Sequence, residues 1–109
     1  MVGNDGTVYV CDRENHRTQV FSAEGDFLAM WTDFQRPMDI SIDSEGVFYI
    51  SEGSVGGSSA RVSVLDEDGK VLSRFDCRGS GHGSWVDSHG DICVGTGDPG
   101  AVDKFVRQR

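Results

Sequence analysis

At 109 residues and 37% hydrophobic content the chain can bury one small core, and a net charge of −8 sets it against phosphate backbones, whose binding needs neutralisation by Lys and Arg. No run approaches the length of a membrane span, and Met1-Val2-Gly3-Asn4 does not open a signal peptide. Neither nucleic acid nor a membrane is therefore an expected partner of this portion, and its compartment is left open.

In chain order, Asp5-Gly6 opens a β-branched and aromatic run, Thr7 to Cys11, which reads as a strand. Arg17 to Phe21 is a second run, and Phe27 to Trp31 follows the turn Ser22-Ala23-Glu24-Gly25. Met38 to Ile42 supplies a further strand before Gly46, after which the order repeats as Val47 to Ile50, Val62 to Leu65, the turn Asp68-Gly69, and Val71, Leu72 and Phe75. Gly83 to Asp87 is the counterpart of Met38 to Ile42, and Val102 to Val106 is a third strand like Val62 to Leu65. Ten strands are expected, grouped as three, four and three.

The register supports a repeat. Gly6 to Phe21 and Gly90 to Phe105 both span 15 residues, and Gly25 to Gly46 and Gly69 to Gly90 both span 21. Gly46 to Leu65 spans 19, the additional four falling in Ser54-Val55-Gly56-Gly57-Ser58-Ser59. A Gly/Ser insertion of this kind lengthens a hairpin loop, so the unit is 40 residues with four strands, the size of a β-propeller blade. Val8 to Cys11 and Phe48 to Ile50 are apolar at consecutive positions, as expected of strands covered on both faces by neighbouring sheets. Trp31 and Phe75, at matching ends of outer strands, are expected to pack sheet against sheet.

DRENHRTQVF followed by a Gly turn, with RPMDISID leading into the next unit, resembles the NHL repeat of β-propellers. GHGSWVDSHGDICVG with DKFVRQR resembles bacterial NHL proteins grouped with the peptidyl-α-hydroxyglycine α-amidating lyases. The fold this implies is all-β, a propeller of four-stranded antiparallel blades with six in the parent. A closed propeller at this period needs roughly 160 residues or more. The chain is thus expected to be an incomplete fragment of about 2.5 blades. The expected units are a blade lacking its inner strand at 1–31, a complete blade at 38–75 and one lacking its outer strand at 82–109. The chain reads as the C-terminal part of a longer propeller, its open edges covered by the missing blades or by self-association.

Two functional classes follow. One is a binding or scaffold portion with no complete active site, taking a peptide or small molecule at the channel. The other, implied by the resemblance, is part of a metal-dependent amidating lyase, in which a channel zinc or calcium polarises a carbinolamide and C–N cleavage gives amide and glyoxylate. A lactonase-like hydrolase is a weaker third. His82 aligns with Met38 at the entry to an inner strand and is the candidate metal ligand, with further ligands needed from other blades. No catalytic base can be named. Asp12, Asn15 and Arg17 frame the turn between the first two strands as a polar clamp, Asn15 being able to adopt a left-handed conformation cheaply and His16 pointing to solvent. His89 is a turn residue. Cys11, Cys77 and Cys93 lack C-x-x-C spacing, which argues against a zinc or redox pair, and Cys11 and Cys93 read as small strand hydrophobes.

Overall fold

A computed structural model describes residues 1–79, 81–97 and 100–108 of the protein. Ser80, Asp98, Pro99 and Arg109 lie outside the described residues, so the end of the DKFVRQR run and of the expected third unit is not included. Among the described residues ten strands form three antiparallel sheets. Sheet 1 orders β1 (Val8–Asp12), β2 (Arg17–Phe21) and β3 (Phe27–Trp31), with one turn of 3₁₀ helix at Arg13–Asn15. Sheet 2 orders β4 (Pro37–Ile42), β5 (Phe48–Glu52), β6 (Arg61–Leu65) and β7 (Val71–Asp76). Sheet 3 orders β8 (Gly81–Val86), β9 (Ile92–Thr96) and β10 (Ala101–Phe105).

The turns explain why the strands stop where they do. Asp43, Asp66 and Asp87 each open a hairpin turn, and one carboxylate oxygen of each accepts two backbone N–H groups: Glu45 and Val47, Asp68 and Lys70, His89 and Asp91. Three residues on from each aspartate a glycine takes a positive φ, +80° at Gly46 for example, where a Cβ would be strained. Ser22 and Gly25 repeat the device with a hydroxyl that accepts from Asp26 N–H.

Ahead of β1, Val2 bridges antiparallel to Val8, and Met1 and Tyr9 exchange backbone hydrogen bonds. Ile42 bridges Phe48 in the same way, so Met1 to Gly3 stand where β4 ends in sheet 2. Among the described residues sheet 1 has three strands, and the isolated bridge at Val2 marks the place that β4 takes in sheet 2.

Side-chain alternation assigns each face. Phe48 and Ile50 of β5 meet Phe34, Ile40 and Leu65 in a core facing sheet 1, with Tyr9, Cys11 and Trp31 packed on it. Tyr49 of the same strand meets Val62, Val86, Ile92 and Val94 in a second core facing sheet 3, with Phe75 and Phe105 beside it. All five residues of β5 are buried, the consequence of its apolar run at consecutive positions. Trp31 meets Phe48 edge-on at 5.5 Å and Phe75 meets Phe105 at 4.7 Å, so each outer-strand aromatic seals one sheet against the next.

The Trp31 indole also lies over Gly69, where any Cβ would overlap the ring and where φ is +84°. Gly69→Ala is therefore expected to cost about 1–3 kcal/mol through overpacking and backbone strain. Denaturant unfolding of the variant against wild type checks it, and unchanged stability would contradict this packing.

Candidate functional site

Successive loops alternate between the two ends of the sheets. At one end lie the turns at residues 43–46, 66–69 and 87–90; at the other lie the connections at 12–17, 32–36 and 53–60. The second, or loop, end gathers the residues singled out in the sequence.

Asp12 ends β1 and Arg17 begins β2, directly paired across the strands. Arg17 Nε donates to Asp12 Oδ2 at 2.7 Å, and Asn15 Nδ2 donates to both Asp12 oxygens at 3.0 and 3.1 Å. The Arg17 guanidinium first, then the Asn15 amide, hold the Asp12 carboxyl below the usual carboxylate range. Asn15 lies within the 3₁₀ turn and is not left-handed. The left-handed residue is His16, with φ 55° closing the turn. Nor does His16 simply face solvent: its Nδ1 accepts the backbone N–H of Arg36 at 3.0 Å, from the connection to sheet 2. Arg36 has φ 44° and reaches Glu14 with its guanidinium at 3.3 Å, so the two turns are tied at two points.

The same clamp occurs in sheet 2, where the sequence gives no D-x-x-N-x-R turn. Glu52 stands 40 residues after Asp12, and Arg61 stands 44 after Arg17, once the inserted loop is counted. Glu52 is fully buried, and its carboxylate accepts from Arg61 at 3.1–3.2 Å, from Gln35 N–H at 2.7 Å and from the Ser63 hydroxyl. Arg74 donates to Ser63 Oγ at 2.9 Å and reaches Asp33. The side-chain amide of Gln35 donates to the carbonyls of Gly53 and Ser59, and Ser58 donates to its oxygen. The connection 32–36 is thereby fastened both to sheet 1 and to the Gly/Ser loop. Gln35, Arg61 and Arg74 do not stand out in the linear sequence, whereas Arg36 opens the RPMDISID run and Glu52 stands where the repeat places its turn. Removing the four inserted residues before aligning the units would reveal the Glu52–Arg61 pair.

His82 is the extra residue of a bulge in β8, between Gly81 and Gly83, and is exposed. Met38 holds the corresponding bulge in β4. Gly81 cannot carry a side chain, since a Cβ would meet Val94 Cγ1 at 2.7 Å, and Ser51 Oγ donates to its carbonyl. Asp39, next to Met38 on β4, accepts Ser84 N–H at 2.8 Å and stitches β4 to β8. Among the described residues no three His, Cys, Asp or Glu side chains converge on a point that could hold a metal, so zinc or calcium does not fit the residues of this chain by themselves. Asp12, Asn15 and Arg17 form one cluster, and His82 is not brought into it.

The turn end is acidic. Asp43 accepts from the Tyr49 hydroxyl at 2.9 Å and lies 3.7 Å from Arg107, while Lys104 pairs with Asp87 and Asp91. The Lys104 ammonium first, with the Asp91 and His89 amides, draws the Asp87 carboxyl down to about 2. Burial first, then Asp43, pushes the Tyr49 phenol up to about 12. Burial likewise raises the thiols of Cys11 and Cys77 to about 11; the three cysteines are free and half-buried.

Antiparallel sheets packed face to face in a repeating register, joined by alternating turns, define a partial β-propeller, all-β among the described residues apart from one 3₁₀ turn. Residues 1–21 match the family described as NHL repeat. The chain is also similar to "Protein brain tumor" of Drosophila melanogaster, 30% identical over 80 residues, a stretch covering 71% of this chain and 7% of that protein. The chain therefore corresponds to a small part of that relative's length. Among the described residues no helix is long and apolar enough to cross a membrane.

The two clamps differ in burial, and that difference is measurable. Glu52→Ala leaves Arg61 facing a void and is expected to cost about 3–5 kcal/mol, whereas Asp12→Ala, at a solvent-screened pair, should cost markedly less. Unfolding midpoints of the two variants check this, and equal losses would contradict it. The Tyr49 phenol has a folded pKa above its unfolded one, so its contribution is complete below about pH 10 and is lost as pH rises through about 12. Tyr49→Phe should flatten part of the alkaline stability loss in that window. A pH–stability curve identical to wild type would contradict the Tyr49–Asp43 contact.

Proposed function

We propose that the chain is a binding or scaffold portion of a propeller, presenting its loop end to a protein partner. The observation that carries this reading is the interlocking of three loops. His16, Arg36 and Gln35 fasten the turn at 12–17, the connection at 32–36 and the Gly/Ser loop at 53–60 into one surface. A surface held in this way meets a partner without a large ordering cost, which favours binding. Arg13, Glu14 and Arg36 carry charged groups on that surface, where they can select a partner by complementarity. Fold does not dictate chemistry, and the lyase implied by the resemblance needs ligands beyond His82 that do not stand beside it among the described residues.

Metal content of the purified protein and of His82→Ala separates the two readings. No stoichiometric zinc or calcium is expected in either. Metal bound one to one in wild type and lost in the variant would overturn the binding-module reading in favour of catalysis. For the surface itself, chemical cross-links from the natural assembly should fall at residues 13–16, 33–36 and 53–59 and be lost in Arg36→Glu, with folding retained.

A further inference from the structure

Of the ten described residues at positive φ, eight are glycines, and the other two, His16 and Arg36, touch each other at the loop end. A side chain is kept at each at a cost that glycine would avoid. For His16 the fold supplies the reason, since its Nδ1 accepts the backbone N–H of Arg36. For Arg36 it does not. Its one side-chain hydrogen bond among the described residues, from Nη2 to Glu14 Oε1 at 3.3 Å, reaches a carboxylate on a side chain that is 69% exposed. An exposed pair of this kind adds little stability.

Two guanidiniums meet on that single oxygen, and neither is fully used. Arg13 Nε donates to the same Glu14 Oε1 at 2.9 Å. Elsewhere in the chain an arginine engages a carboxylate with both Nε and Nη2, as Arg61 does on Glu52 and Arg78 on Asp103. Arg13 gives Glu14 its Nε alone and Arg36 its Nη2 alone, and the Arg36 Nε, shielded from solvent, has no acceptor among the described residues. Two forks therefore share one oxygen, and donors are left over for a second carboxylate. Asp12, Arg13, Glu14, Arg17 and Arg36 together carry one net positive charge in a chain of −8.

We propose that Arg13 and Arg36 are the contact point for a carboxylate of a protein partner, an Asp or Glu side chain, and that Glu14 holds its place in the free protein. This rests on the binding-surface reading and names the chemistry of what binds there. A carboxylate is indicated because the site already holds one, and because planar guanidinium forks match its two oxygens. Nucleic acid is disfavoured, since a phosphate backbone needs a run of free cations, whereas Arg17, Arg61, Arg74 and Arg78 are each engaged with a carboxylate of the chain. The exchange swaps one carboxylate for another at the guanidiniums and returns Glu14 to water, so it costs little. His16 still ties the two turns together through the Arg36 N–H when Glu14 is displaced.

A blocked hexaglutamate peptide, titrated into the full chain at low ionic strength and followed by the arginine Nε–Hε NMR resonances, tests this. The resonances of Arg13 and Arg36 should shift saturably, while those of Arg17 and Arg61, held in their clamps, stay in place. Glu14→Gln should tighten binding about two- to five-fold, the worth of an exposed ion pair, and Arg13→Gln and Arg36→Gln should each weaken it by at least as much. The Arg13 side chain bonds only to Glu14 among the described residues, so its variant reads the site even where Arg36→Gln disturbs the connection at 32–36. No shift at Arg13 and Arg36, unchanged affinity in Glu14→Gln, or tighter binding of inorganic phosphate or of a single-stranded oligonucleotide than of the peptide would each overturn the proposal. Such a failure with the loop-end cross-links retained would overturn the carboxylate and leave the binding-surface reading standing.

Discussion

Strand β5 is the element on which the rest of the protein depends. Its two faces belong to two different cores, Phe48 and Ile50 on one side and Tyr49 on the other, and both neighbouring sheets pack against it. An isolated hairpin is marginal in water, and a sheet gains independent stability from more strands and a covered apolar face. Here the central sheet is covered on both sides, and each outer sheet gains stability from the face it shares with it. Glu52 extends the same strand into the polar end and fixes the connection from sheet 1 through Gln35. Core and loop end are thus joined through five consecutive residues.

The two ends of the sheets divide the charge of the chain. At the loop end each arginine of the described network has a carboxylate partner: Arg17 with Asp12, Arg36 with Glu14, Arg61 with Glu52, Arg74 with Asp33 and Arg78 with Asp103. The hairpin turns at the opposite end hold Asp43, Glu45, Asp66, Glu67, Asp68, Asp87 and Asp91 against Lys70, Lys104 and Arg107, so much of the net −8 is concentrated there. The aspartates at the first turn position are required by the backbone N–H groups they accept. Their charge is therefore a by-product of turn chemistry, whereas the paired arginines at the loop end set the shape of a surface.

Much of the fold was legible in the sequence because its signals are local. The Gly spacing located the turns, and runs such as Arg17 to Phe21 and Phe27 to Trp31 coincide with β2 and β3. Consecutive apolar residues in Phe48 to Ile50 told of a strand with two buried faces, and Trp31 and Phe75 lie between sheets. What could not be read were contacts across units. Glu52 and Arg61 pair over nine positions with a Gly/Ser loop between them, and nothing local marks a buried carboxylate. His16 adopts the left-handed turn that Asn15 suited because Asn15 is held by Asp12, and its imidazole finds Arg36 twenty residues away. The bridge at Val2 is too short for any periodicity to show. His82 was rightly placed beside the position of Met38, but a bulge, visible in the register, decides how it projects.

Native-state hydrogen exchange tests the dependence on β5 most directly. If this strand joins the two cores, the amides of Phe48 to Glu52 should exchange only by global unfolding, slower than those of β3 and β10 at the outer edges. Exchange of β5 as fast as those edge strands, at a free energy below that of global unfolding, would contradict the account.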